Sequence, residues 1–501
     1  MQFGYCVFVT LDPRTPVLVG YGQINQHDDP ATAPGEPVEL MARAARRAAD
    51  DAVLAAVDTV AVVNLLSWKY RDPGLLLAEK IGARPARTGY TGVGGNMPQT
   101  LVNRACRDIL AGRAEVVLLA GGETWRTNKR LKATGAEPPW TVQDEAVPQA
   151  EVVAEGAELA GPAQLRVHLL LPSHVYPLFE QAIRVTAGTA PEQHRARLGG
   201  LWQRFNAVAQ HNPHAWNRRA VGAEEIWRDG PDNRMISWPY TKLMNSNNMV
   251  DQGAALVLTS VRRAGELGIP RDTWVFPWSG TDAHDTYDIA ERAAFDRSPA
   301  IRIAGERALA LAGLGVDDID LVDVYSCFPS AVQIAAAELG LAVDDDARPL
   351  TVTGGLTFAG GPWNNYVMHS IATMAERLAA GAGARGLITA NGGYLTKHAF
   401  GVYGTEPPPD GFRWADVQDE VDREPTRTAA PDFAGTGRVE TWTTPVGRDG
   451  TPEKVFATVD TGDGRRAIAV VHDPAQAAAS TTEDLAGAAI EVRPDGTAEL
   501  G

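Results

Sequence analysis

Residues 354–393, GGLTFAGGPWNNYVMHSIATMAERLAAGAGARGLITANGG, determine how the rest of the sequence is interpreted. A glycine-rich loop, a long helical segment, a tight Ala-Gly turn, a short apolar strand and a closing glycine pair follow one another in this stretch. Residues 92–122, GVGGNMPQTLVNRACRDILAGRAEVVLLAGG, contain the same features in the same order. Two copies of one supersecondary unit, far apart in a chain, predict an internal duplication, so we expect two related halves.

Apolar segments typical of buried strands alternate with helical segments in both halves. In the first half, PVLVGYG (residues 16–22) precedes a helical pattern at residues 39–53, and TVAVVNLL (residues 59–66) follows it. In the second half, WVFPWSG (residues 274–280) and DIDLVDVYSCF (residues 318–328) repeat this arrangement. Continuous apolar strands alternating with helices predict a mainly parallel sheet covered by helices on both faces, so the predicted fold class is α/β.

Composition divides the chain into four predicted regions. Tryptophan, proline and arginine are frequent over residues 123–247, which we interpret as a loop domain inserted in the first half. Near the C-terminus, alternating runs with Asp-Gly turns predict a small antiparallel β-barrel. The predicted regions are an N-terminal half at 14–265, a C-terminal half at 266–407, a linker at 408–433 and the β-barrel domain at 434–501.

Charge and composition argue against several classes of function. The chain has 501 residues, of which 44% are hydrophobic and 22% are charged, as in globular proteins rather than disordered ones. Its formal net charge of -16 argues against nucleic-acid binding, although a local basic pocket for a phosphorylated cofactor stays compatible with it. No apolar run approaches the roughly 20 residues of a membrane helix, so no membrane span is expected.

The cysteines and the N-terminal residues predict a cytoplasmic location. Cys6, Cys106 and Cys327 are far apart and odd in number, so they give neither a disulfide framework nor metal-ligand spacing. Free cysteines fit a reducing compartment. Residues 1–13, which we interpret as an extension before the first strand, lack the basic region and the cleavage motif of a signal peptide. We therefore expect a cytoplasmic protein without a metal site.

Four motifs resemble sequences of the thiolase superfamily. They are AGRAEVVLLAGGE (residues 111–123), NMVDQGAALVLTS (residues 248–260), DLVDVYSCF (residues 320–328) and GGLTFAGGP (residues 354–362). The resemblance extends over about residues 16–405 and is closest to the sterol-carrier-type thiolases and to the actinobacterial thiolase-like proteins of type 1. It implies a duplicated thiolase fold of two βαβαβαββ halves in five layers, α-β-α-β-α. Thiolase-like proteins of type 1 also carry an extra C-terminal β-barrel, which matches the predicted last region.

The same resemblance carries expectations about ligand, activity and assembly. It implies an acyltransferase of the acetyl-CoA acetyltransferase type in lipid metabolism, with coenzyme A or an acyl-CoA as its ligand and no covalently bound cofactor. Thiolases are usually dimers or tetramers through the edge of the first-half sheet. The type 1 thiolase-like proteins are expected to be monomers, so we expect a monomer, with a homodimer as the alternative.

Other residues occupy the positions where thiolases carry their catalytic side chains. A thiolase needs a nucleophilic cysteine at a helix start, a histidine that activates it and a second cysteine that moves a proton. The resemblance places these three at Gly95, Gly361 and Ala390. The last position shifts to Thr389 if the glycines are paired differently. Cys106 lies about three turns beyond the first position. Thiolysis or Claisen condensation through a cysteine acyl-enzyme is therefore not expected.

Three side chains are candidate catalytic residues. Tyr325 follows a buried strand in the loop that faces the thiolase pocket; it is either a general acid and base, as in the steroid side-chain aldolases that this loop resembles, or a packed side chain whose hydroxyl bonds the backbone. Cys327 is either a nucleophile or a small buried filler. His369 lies about two turns past Gly361, and it either reaches the pocket from beneath or is a core histidine bonded to the backbone.

A substrate or oxyanion pocket is predicted around the glycine pairs. It comprises Gly95, Asn96, Gly361, Asn364, Asn391 and Gly392. Backbone N–H groups of the glycines at two helix starts are suited to an oxyanion or a phosphate. The asparagines are suited to a thioester oxygen, although Asn96 and Asn364 are equally typical of helix caps.

The insertion supplies basic side chains of the kind that thiolases use to hold the phosphate of coenzyme A. They are His194, Arg195, Arg197, Arg204, Arg218 and Arg219. Because an amphipathic helix exposes such residues anyway, a solvated face is the default expectation and a phosphate site is the alternative.

Three hypotheses about function follow. The first is a thiolase-like protein that binds an acyl-CoA or a related thioester without cysteine chemistry. The second is a carbon–carbon lyase that acts on a β-hydroxyacyl-CoA with Tyr325 as acid and base. The third is a non-catalytic partner of an enzyme of lipid or steroid metabolism, with the C-terminal barrel as its interaction module.

Overall fold

The computed structural model describes residues 11–26, 35–154 and 159–501 of the chain. In chain order, the first half contains β1 (Pro16–Asn25), α1 (Pro37–Ala48), α2 (Asp51–Ala55), β2 (Thr59–Val62), α3 (Pro73–Ile81), β3 (Arg87–Thr91), α4 (Met97–Leu110), β4 (Val116–Thr124), α5 (Trp125–Ala133), β5 (Glu151–Ala154), α6 (Pro162–Arg166), α7 (Pro172–Thr186), α8 (Pro191–His211), α9 (Ala223–Trp227), β6 (Met235–Trp238), β7 (Tyr240–Thr241), β8 (Asp251–Ser260) and α10 (Val261–Glu266). One sheet joins β1-β8-β4-β2-β3-β5 in that order. β8 is antiparallel to β1 and β4, and the other neighbours are parallel.

The second half builds a related sheet. Its elements are β9 (Phe276–His284), α11 (Pro299–Ala312), β10 (Leu321–Asp323), α12 (Pro329–Leu339), α13 (Gly355–Phe358), α14 (Tyr366–Ala379), β11 (Arg385–Gly392), β12 (Lys397–Gly404) and β13 (Arg413–Asp416). The strand order is β10-β11-β12-β9-β13. β12 lies antiparallel between β9 and β11, just as β8 lies antiparallel between β1 and β4. This equivalence confirms the predicted duplication and the α/β fold class.

The two halves differ at one strand. In the first half β3 precedes α4, whereas no strand is found among the described residues between α12 and α14. Next to β10, a backbone hydrogen bond of 2.8 Å runs from the N–H of Val324 to the carbonyl of Leu350 in that segment, without a strand pairing. The βαβαβαββ order is therefore complete in the first half and lacks its third strand in the second.

Two helices lie between the sheets and form a central layer. α4 contacts β4 and β8 of the first sheet and β9, β11 and β12 of the second, and α14 contacts β1, β8 and β11. On the outer sides, α1 packs against β1, β4 and β8, and α11 packs against β9 and β12. The layers therefore follow the predicted order α-β-α-β-α, and the starts of α4 and α14 both lie in the interior.

The strands next to the central helices are buried along their whole length. Every residue of β4, β8 and β12 is buried, which explains why VVLLAGG and GAALVLTS run without polar alternation. Cys106 on α4 belongs to this core, as its mid-helix position predicts. Burial raises the pKa of its thiol, so it is an inert core residue.

The C-terminal region is rich in strands, as predicted. It contains α15 (Gln418–Val421), β14 (Thr428–Ala429), β15 (Gly435–Pro445), β16 (Val455–Asp460), β17 (Arg465–Val471), α16 (Pro474–Ala479), β18 (Ala489–Val492) and β19 (Ala498–Leu500). A third sheet joins β14-β17-β16-β15-β18-β19. A parallel bridge between Val470 and Thr497 also connects β17 to the residue before β19. Closure into a barrel and the limits of the four regions stay predictions. The segment predicted as a linker, 408–433, contains β13, which pairs with β9.

The C-terminal domain is attached to the insertion and to the second half. β6 of the insertion pairs antiparallel with β15. Arg184 on α7 donates two hydrogen bonds of 2.9 Å to the carboxylate of Asp484. Arg466 on β17 is 2% exposed and binds both Glu440 and the backbone carbonyl of Arg292. These contacts fix the domain in place through buried, charged groups.

Two further expectations concern the N-terminal extension and membrane-spanning helices. Residues 1–10, which include Cys6 and most of the predicted N-terminal extension, lie outside the described residues. Among the helices of the described ranges, none combines the length and the apolar character needed to cross a membrane.

Candidate functional site

Gly95, in the turn before α4, lies directly against Tyr325, in the loop after β10. A β-carbon on residue 95 would be 2.4 Å from the hydroxyl oxygen of Tyr325 and 2.4 Å from the carbonyl oxygen of Asn391 at the end of β11. Contacts this short overlap the van der Waals radii of both atoms, so any side chain at residue 95 requires the neighbours to move. The turn at Gly95, the loop after β10 and the end of β11 therefore meet at one point, the Gly95 junction, where residue 95 has room for glycine but not for a side chain.

Tyr325 is held by its backbone and its ring. Its N–H donates to the hydroxyl of Thr389 at 2.9 Å, and its ring packs edge-on against Tyr366 with centroids 5.5 Å apart. Within the described residues its hydroxyl has no hydrogen-bond partner, so the backbone bond considered for it is not found. Burial, followed by the nearby Cys327 and Tyr366, raises the pKa of Tyr325 well above its ordinary value. The hydroxyl is thus a protonated donor beside Gly95.

Asn391 connects Cys327 to a tyrosine from the insertion. Its side-chain nitrogen donates to the hydroxyl of Tyr176 at 3.0 Å and lies 3.8 Å from the sulfur of Cys327. Its Oδ1 is buried with no partner in the described part of the chain. Burial raises the pKa of Cys327 to about 12, so the thiol stays protonated at neutral pH. This supports the role of buried filler for Cys327 over that of nucleophile.

Asn96 and Gly392 close the other side of the same junction. A β-carbon on Gly392 would be 2.6 Å from Oδ1 of Asn96 and 3.1 Å from the nitrogen of Gly95. Asn96 occupies the N-cap position of α4, yet its side chain makes no capping hydrogen bond. Its Nδ2 donates weakly to Thr100 at 3.4 Å, and its Oδ1 is buried without a partner among the described residues. Asn96 therefore has the capping position that was expected as one alternative, but not the capping hydrogen bond.

Asn364 bridges the two halves instead of capping a helix. Its Oδ1 accepts a hydrogen bond of 3.0 Å from the N–H of Gly94, and its Nδ2 donates at 3.0 Å to the carbonyl of Asn64. The capping alternative for Asn364 is wrong, because both ends of its amide are engaged across the domain junction. The bond to Gly94 ties this junction to the Gly95 turn.

The space beside Gly361, where a side chain would lie, is occupied by the hydroxyl of Ser246 from another loop. A β-carbon on Gly361 would be 2.1 Å from Oγ of Ser246, and the Gly361 N–H donates to the carbonyl of Asn247 at 2.9 Å. Ser246 in turn donates to Asn248 at 2.7 Å. Sequence reasoning missed Ser246, although the polar run Asn245–Ser246–Asn247–Asn248 just before β8 was a usable signal.

His369 is separate from Tyr325 and Cys327. Its Nδ1 donates to Oε1 of Gln23 on β1 at 2.9 Å, and Gln23 donates to Thr373 at 3.0 Å. Burial, with a smaller effect of His214, lowers the pKa of His369 to about 3. The expected core histidine is found, but its partner is a side chain and not the backbone. No contact among the described residues joins it to the Gly95 junction.

Ala390 lies on β11 opposite Ala399 of β12. With Tyr325, Thr389 and Asn391 it lines a cavity of about 10 Å³, which is room for about one water molecule. A larger side chain at residue 390 would enter this small space. His398 lines the same cavity, and its Nε2 lies 3.3 Å from the carbonyl of Leu395. The chemistry that Tyr325 and Asn391 offer at the junction is hydrogen bonding by hydroxyl and amide groups.

The basic side chains of the insertion divide into two groups. His194 is buried with its Nε2 2.6 Å from Glu180, and Arg195 is buried against the rings of Trp227 and Trp238. The solvated face expected for these two residues is wrong, because both serve packing inside the insertion. Arg197, Arg218 and Arg219 are exposed and Arg204 is half-buried. In the described ranges no group of His, Cys, Asp and Glu side chains is placed to hold a metal ion.

Comparisons with known proteins identify the family. Residues 416–497 match the thiolase-like protein type 1 additional C-terminal domain, and residues 281–365 match the thiolase C-terminal domain-like family. The crystal structure of a monomeric SCP2-thiolase like protein type 1 from Mycobacterium smegmatis superposes with a TM-score of 0.82 and 32% identity, over 98% of this chain and 100% of that chain. The chain belongs to the thiolase-like protein type 1 family. The predicted membership of the thiolase superfamily is thereby confirmed.

More distant relatives of this thiolase-like chain carry enzyme names. The acetyl-CoA acetyltransferase of Methanothermobacter thermautotrophicus is 26% identical over 325 residues, which is 62% of this chain and 78% of that protein. The acetyl-CoA acetyltransferase of Methanocaldococcus jannaschii is also 26% identical, but the match covers only 43% of its length and 31% of this chain. The Ltp2-ChsH2(DUF35) aldolase shares the fold with a TM-score of 0.59 and 19% identity, over 79% of this chain and 98% of that chain.

Proposed function

We propose that this thiolase-like protein binds an acyl-CoA or a related thioester and does not catalyse thiolysis or Claisen condensation through a cysteine acyl-enzyme. The contact between Gly95 and Tyr325 carries the proposal. A cysteine side chain at residue 95 would overlap atoms of Tyr325 and Asn391, each 2.4 Å from the β-carbon position. A side chain at Gly361 would overlap Ser246 at 2.1 Å. In this proposal Gly95 and Gly361 stand where active thiolases carry the nucleophile and the base.

Groups suited to a thioester oxygen support the binding function. The Tyr325 hydroxyl is protonated and has no protein partner among the described residues, so its proton is available to a ligand. The start of α4, next to Gly95, adds the partial positive charge of a helix N-terminus. Because Cys327 stays a thiol, the junction offers hydrogen-bond donors without a nucleophile.

Two measurements test this proposal together. Isothermal titration calorimetry with coenzyme A and acetyl-CoA measures binding, and the loss of acetoacetyl-CoA absorbance measures thiolysis. We expect binding without turnover, and weaker acetyl-CoA binding by about 0.5–1.5 kcal/mol in Tyr325→Phe. Tyr21→Phe, whose hydroxyl donates to Thr273 at 3.3 Å outside the site, is the matched control. Thiolysis at thiolase-like rates, or no binding of either ligand, would overturn the proposal.

Tyr325 also favours a second candidate, a carbon–carbon lyase acting on a β-hydroxyacyl-CoA. In such a retro-aldol step the β-hydroxyl proton would pass to the Tyr325 oxygen, the Cα–Cβ bond would break, and its electron pair would remain on the α-carbon. The phenolic proton of Tyr325 would pass to that carbon, so the tyrosine would end the step protonated, and the products would be a carbonyl compound and a shortened acyl-CoA. The fold shared with the Ltp2-ChsH2(DUF35) aldolase is compatible with this chemistry. Full lyase activity in Tyr325→Phe would exclude the assignment.

We further propose a monomer in the cytoplasm. β5 takes the edge position of the first-half sheet, so β3 is already paired on its outer side and is not free to pair with a second copy. The relative from Mycobacterium smegmatis is described as monomeric. The buried, free thiols of Cys106 and Cys327 fit a reducing compartment. Light scattering after size-exclusion chromatography is expected to give 53.5 kDa, and twice that mass would contradict the monomer.

A further inference from the structure

A cleft of about 720 Å³ runs along α4. It lies between α4, β9, β12 and β13, and its floor includes Asn96, Thr100, Asn103 and Arg107. These four residues recur every three or four positions and so share one face of the helix. At 1.5 Å per residue, the distance from Asn96 to Arg107 along the helix axis is roughly 16 Å. The cleft therefore suits an elongated small molecule.

The acidic groups of this cleft are compensated by the protein itself. Asp282 accepts hydrogen bonds from Thr100 at 2.5 Å, from Asn103 at 2.9 Å and from the indole of Trp414 at 2.8 Å. Burial nevertheless raises the pKa of Asp282 above its ordinary value. Asp108, at the far end, is paired with Arg113 at 2.6 Å. Asp416, the third carboxylate of the lining, accepts a hydrogen bond of 2.9 Å from the N–H of Gln418, so each of the three has a donor.

Two cationic groups of the cleft are not compensated in this way. Lys397, near the start of α4, is 5% exposed, and the one hydrogen-bond partner of its ammonium among the described residues is the backbone carbonyl of Val93. A β-carbon on Gly94 would be 3.1 Å from its Nζ, which places the ammonium beside the helix start. Arg107 lies 3.8 Å over the ring of Trp414 and has no carboxylate partner in the described part of the chain.

Burying a charged lysine without a counter-ion is energetically unfavourable, and this shifts its pKa. Removal of water from around Lys397 lowers its pKa. An ammonium has three N–H donors, and the Val93 carbonyl uses one of them. A ligand oxyanion would supply both the missing charge and the missing acceptors.

We propose that the α4 cleft is a binding site for an elongated oxyanion, carboxylate or phosphate, with Lys397 as the anchoring charge at one end and Arg107 at the other. This site adjoins the thioester site proposed at Gly95 and Tyr325, because Asn96 borders both, but its anchoring charges are other residues and it does not depend on that function. It also places a local basic pocket in a chain whose formal net charge is -16. Electrostatic attraction at such a pocket weakens with added salt.

Calorimetric titration of the full chain at low ionic strength tests the site, with pyrophosphate as the phosphate probe and sebacate as the elongated dicarboxylate. One equivalent of at least one probe should bind. Lys397→Met should weaken that binding at least about tenfold, the size of one lost charge-assisted hydrogen bond. Lys132→Met, an exposed lysine on α5, should bind as the unmodified chain does. Arg107→Gln should weaken sebacate more than pyrophosphate, because only the longer probe spans the cleft.

Amine labelling of the unmodified chain gives an independent readout that does not depend on the folding of a variant. Acetylation of Lys397, followed by peptide mass spectrometry, should slow several-fold when the binding probe is present, while acetylation of Lys132 should not change. Absence of binding by both probes would overturn the proposal. Equal binding by Lys397→Met, or labelling of Lys397 that ignores the bound probe, would do the same.

Discussion

The hydroxyl oxygen of Tyr325 lies 2.4 Å from the point where residue 95 would carry a β-carbon, and residue 95 is glycine. Tyr325 and Gly95 therefore act as a pair, in which the tyrosine occupies the volume that a side chain at the start of α4 would need. The carbonyl of Asn391 closes the same volume from β11 at the same distance. A nucleophilic side chain at residue 95 would require more than one substitution, because two neighbours from the second half, Tyr325 and Asn391, occupy its volume.

Gly95→Ala should destabilise the fold by about 1–3 kcal/mol, the usual cost of overpacking a filled interior. The added methyl group meets the Asn391 carbonyl, a backbone atom that cannot rotate away, as well as the Tyr325 hydroxyl. Guanidinium denaturation of the purified protein measures the change. Gly222→Ala is the control, because its β-carbon would meet nothing within 4 Å. Equal stability of the two variants would show that the Gly95 contact relaxes freely.

Stability should fall as pH drops below 6.5, in part through His369. Its pKa is about 3 in the folded chain, against an ordinary value of 6.5. Between pH 6.5 and pH 3 this histidine is protonated in the unfolded chain but neutral in the folded chain. Its contribution to the free energy of unfolding is therefore complete above pH 6.5 and is lost as the pH falls towards 3. The slope is about 1.4 kcal/mol per pH unit for this one group.

His369→Gln should flatten the pH dependence by that amount, since an amide at this position does not titrate. Denaturation by urea at pH 7 and pH 5 gives the difference for each protein, and the contributions of all other groups cancel in the comparison. His211→Gln, an exposed position on α8, is the control and should keep the slope of the unmodified chain. An unchanged slope in His369→Gln would mean that the pKa of His369 is not lowered by burial, because water reaches its ring.

The sequence predicts the fold well because its signals are local. The glycine pairs and apolar strands of residues 92–122 and 354–393 each lie within about 40 residues, and periodicity reveals them. The partners at the site are distant in sequence. Gln23 and His369 are 346 positions apart, and Ser246 meets Gly361 from another loop, so no local pattern shows these contacts. The sequence also predicts a third strand in the second half, which the described residues lack. The duplication implies that both halves have the same strands, and it gives no sign that one copy differs.

Cys327 and Cys106 should resist alkylation in the native protein. Burial raises the pKa of Cys327 to about 12, so at pH 8 only about one molecule in ten thousand carries the thiolate. Iodoacetamide treatment followed by peptide mass spectrometry should find both cysteines unmodified until guanidinium is added. Rapid native labelling of Cys327 alone would show an accessible thiolate and would reopen its role as a nucleophile.

The C-terminal domain should depend on Arg466 for its attachment. This guanidinium is 2% exposed, and it binds Glu440 within the domain and the carbonyl of Arg292 in the second half. Arg466→Met removes the charge and leaves the carbonyl without its donor, which should cost about 3 kcal/mol of stability. Its neighbour Arg465 is exposed, and its guanidinium pairs with Asp463 at 2.7 Å in the same turn. Arg465→Met should therefore leave the melting temperature unchanged.

Limited proteolysis distinguishes the two variants further. Release of the 434–501 fragment from Arg466→Met alone would show that the contact between the domain and the second half is weakened. Resistance of both variants to proteolysis would instead mean that the pairing of β6 with β15 and the bond from Arg184 to Asp484 are sufficient to hold the domain.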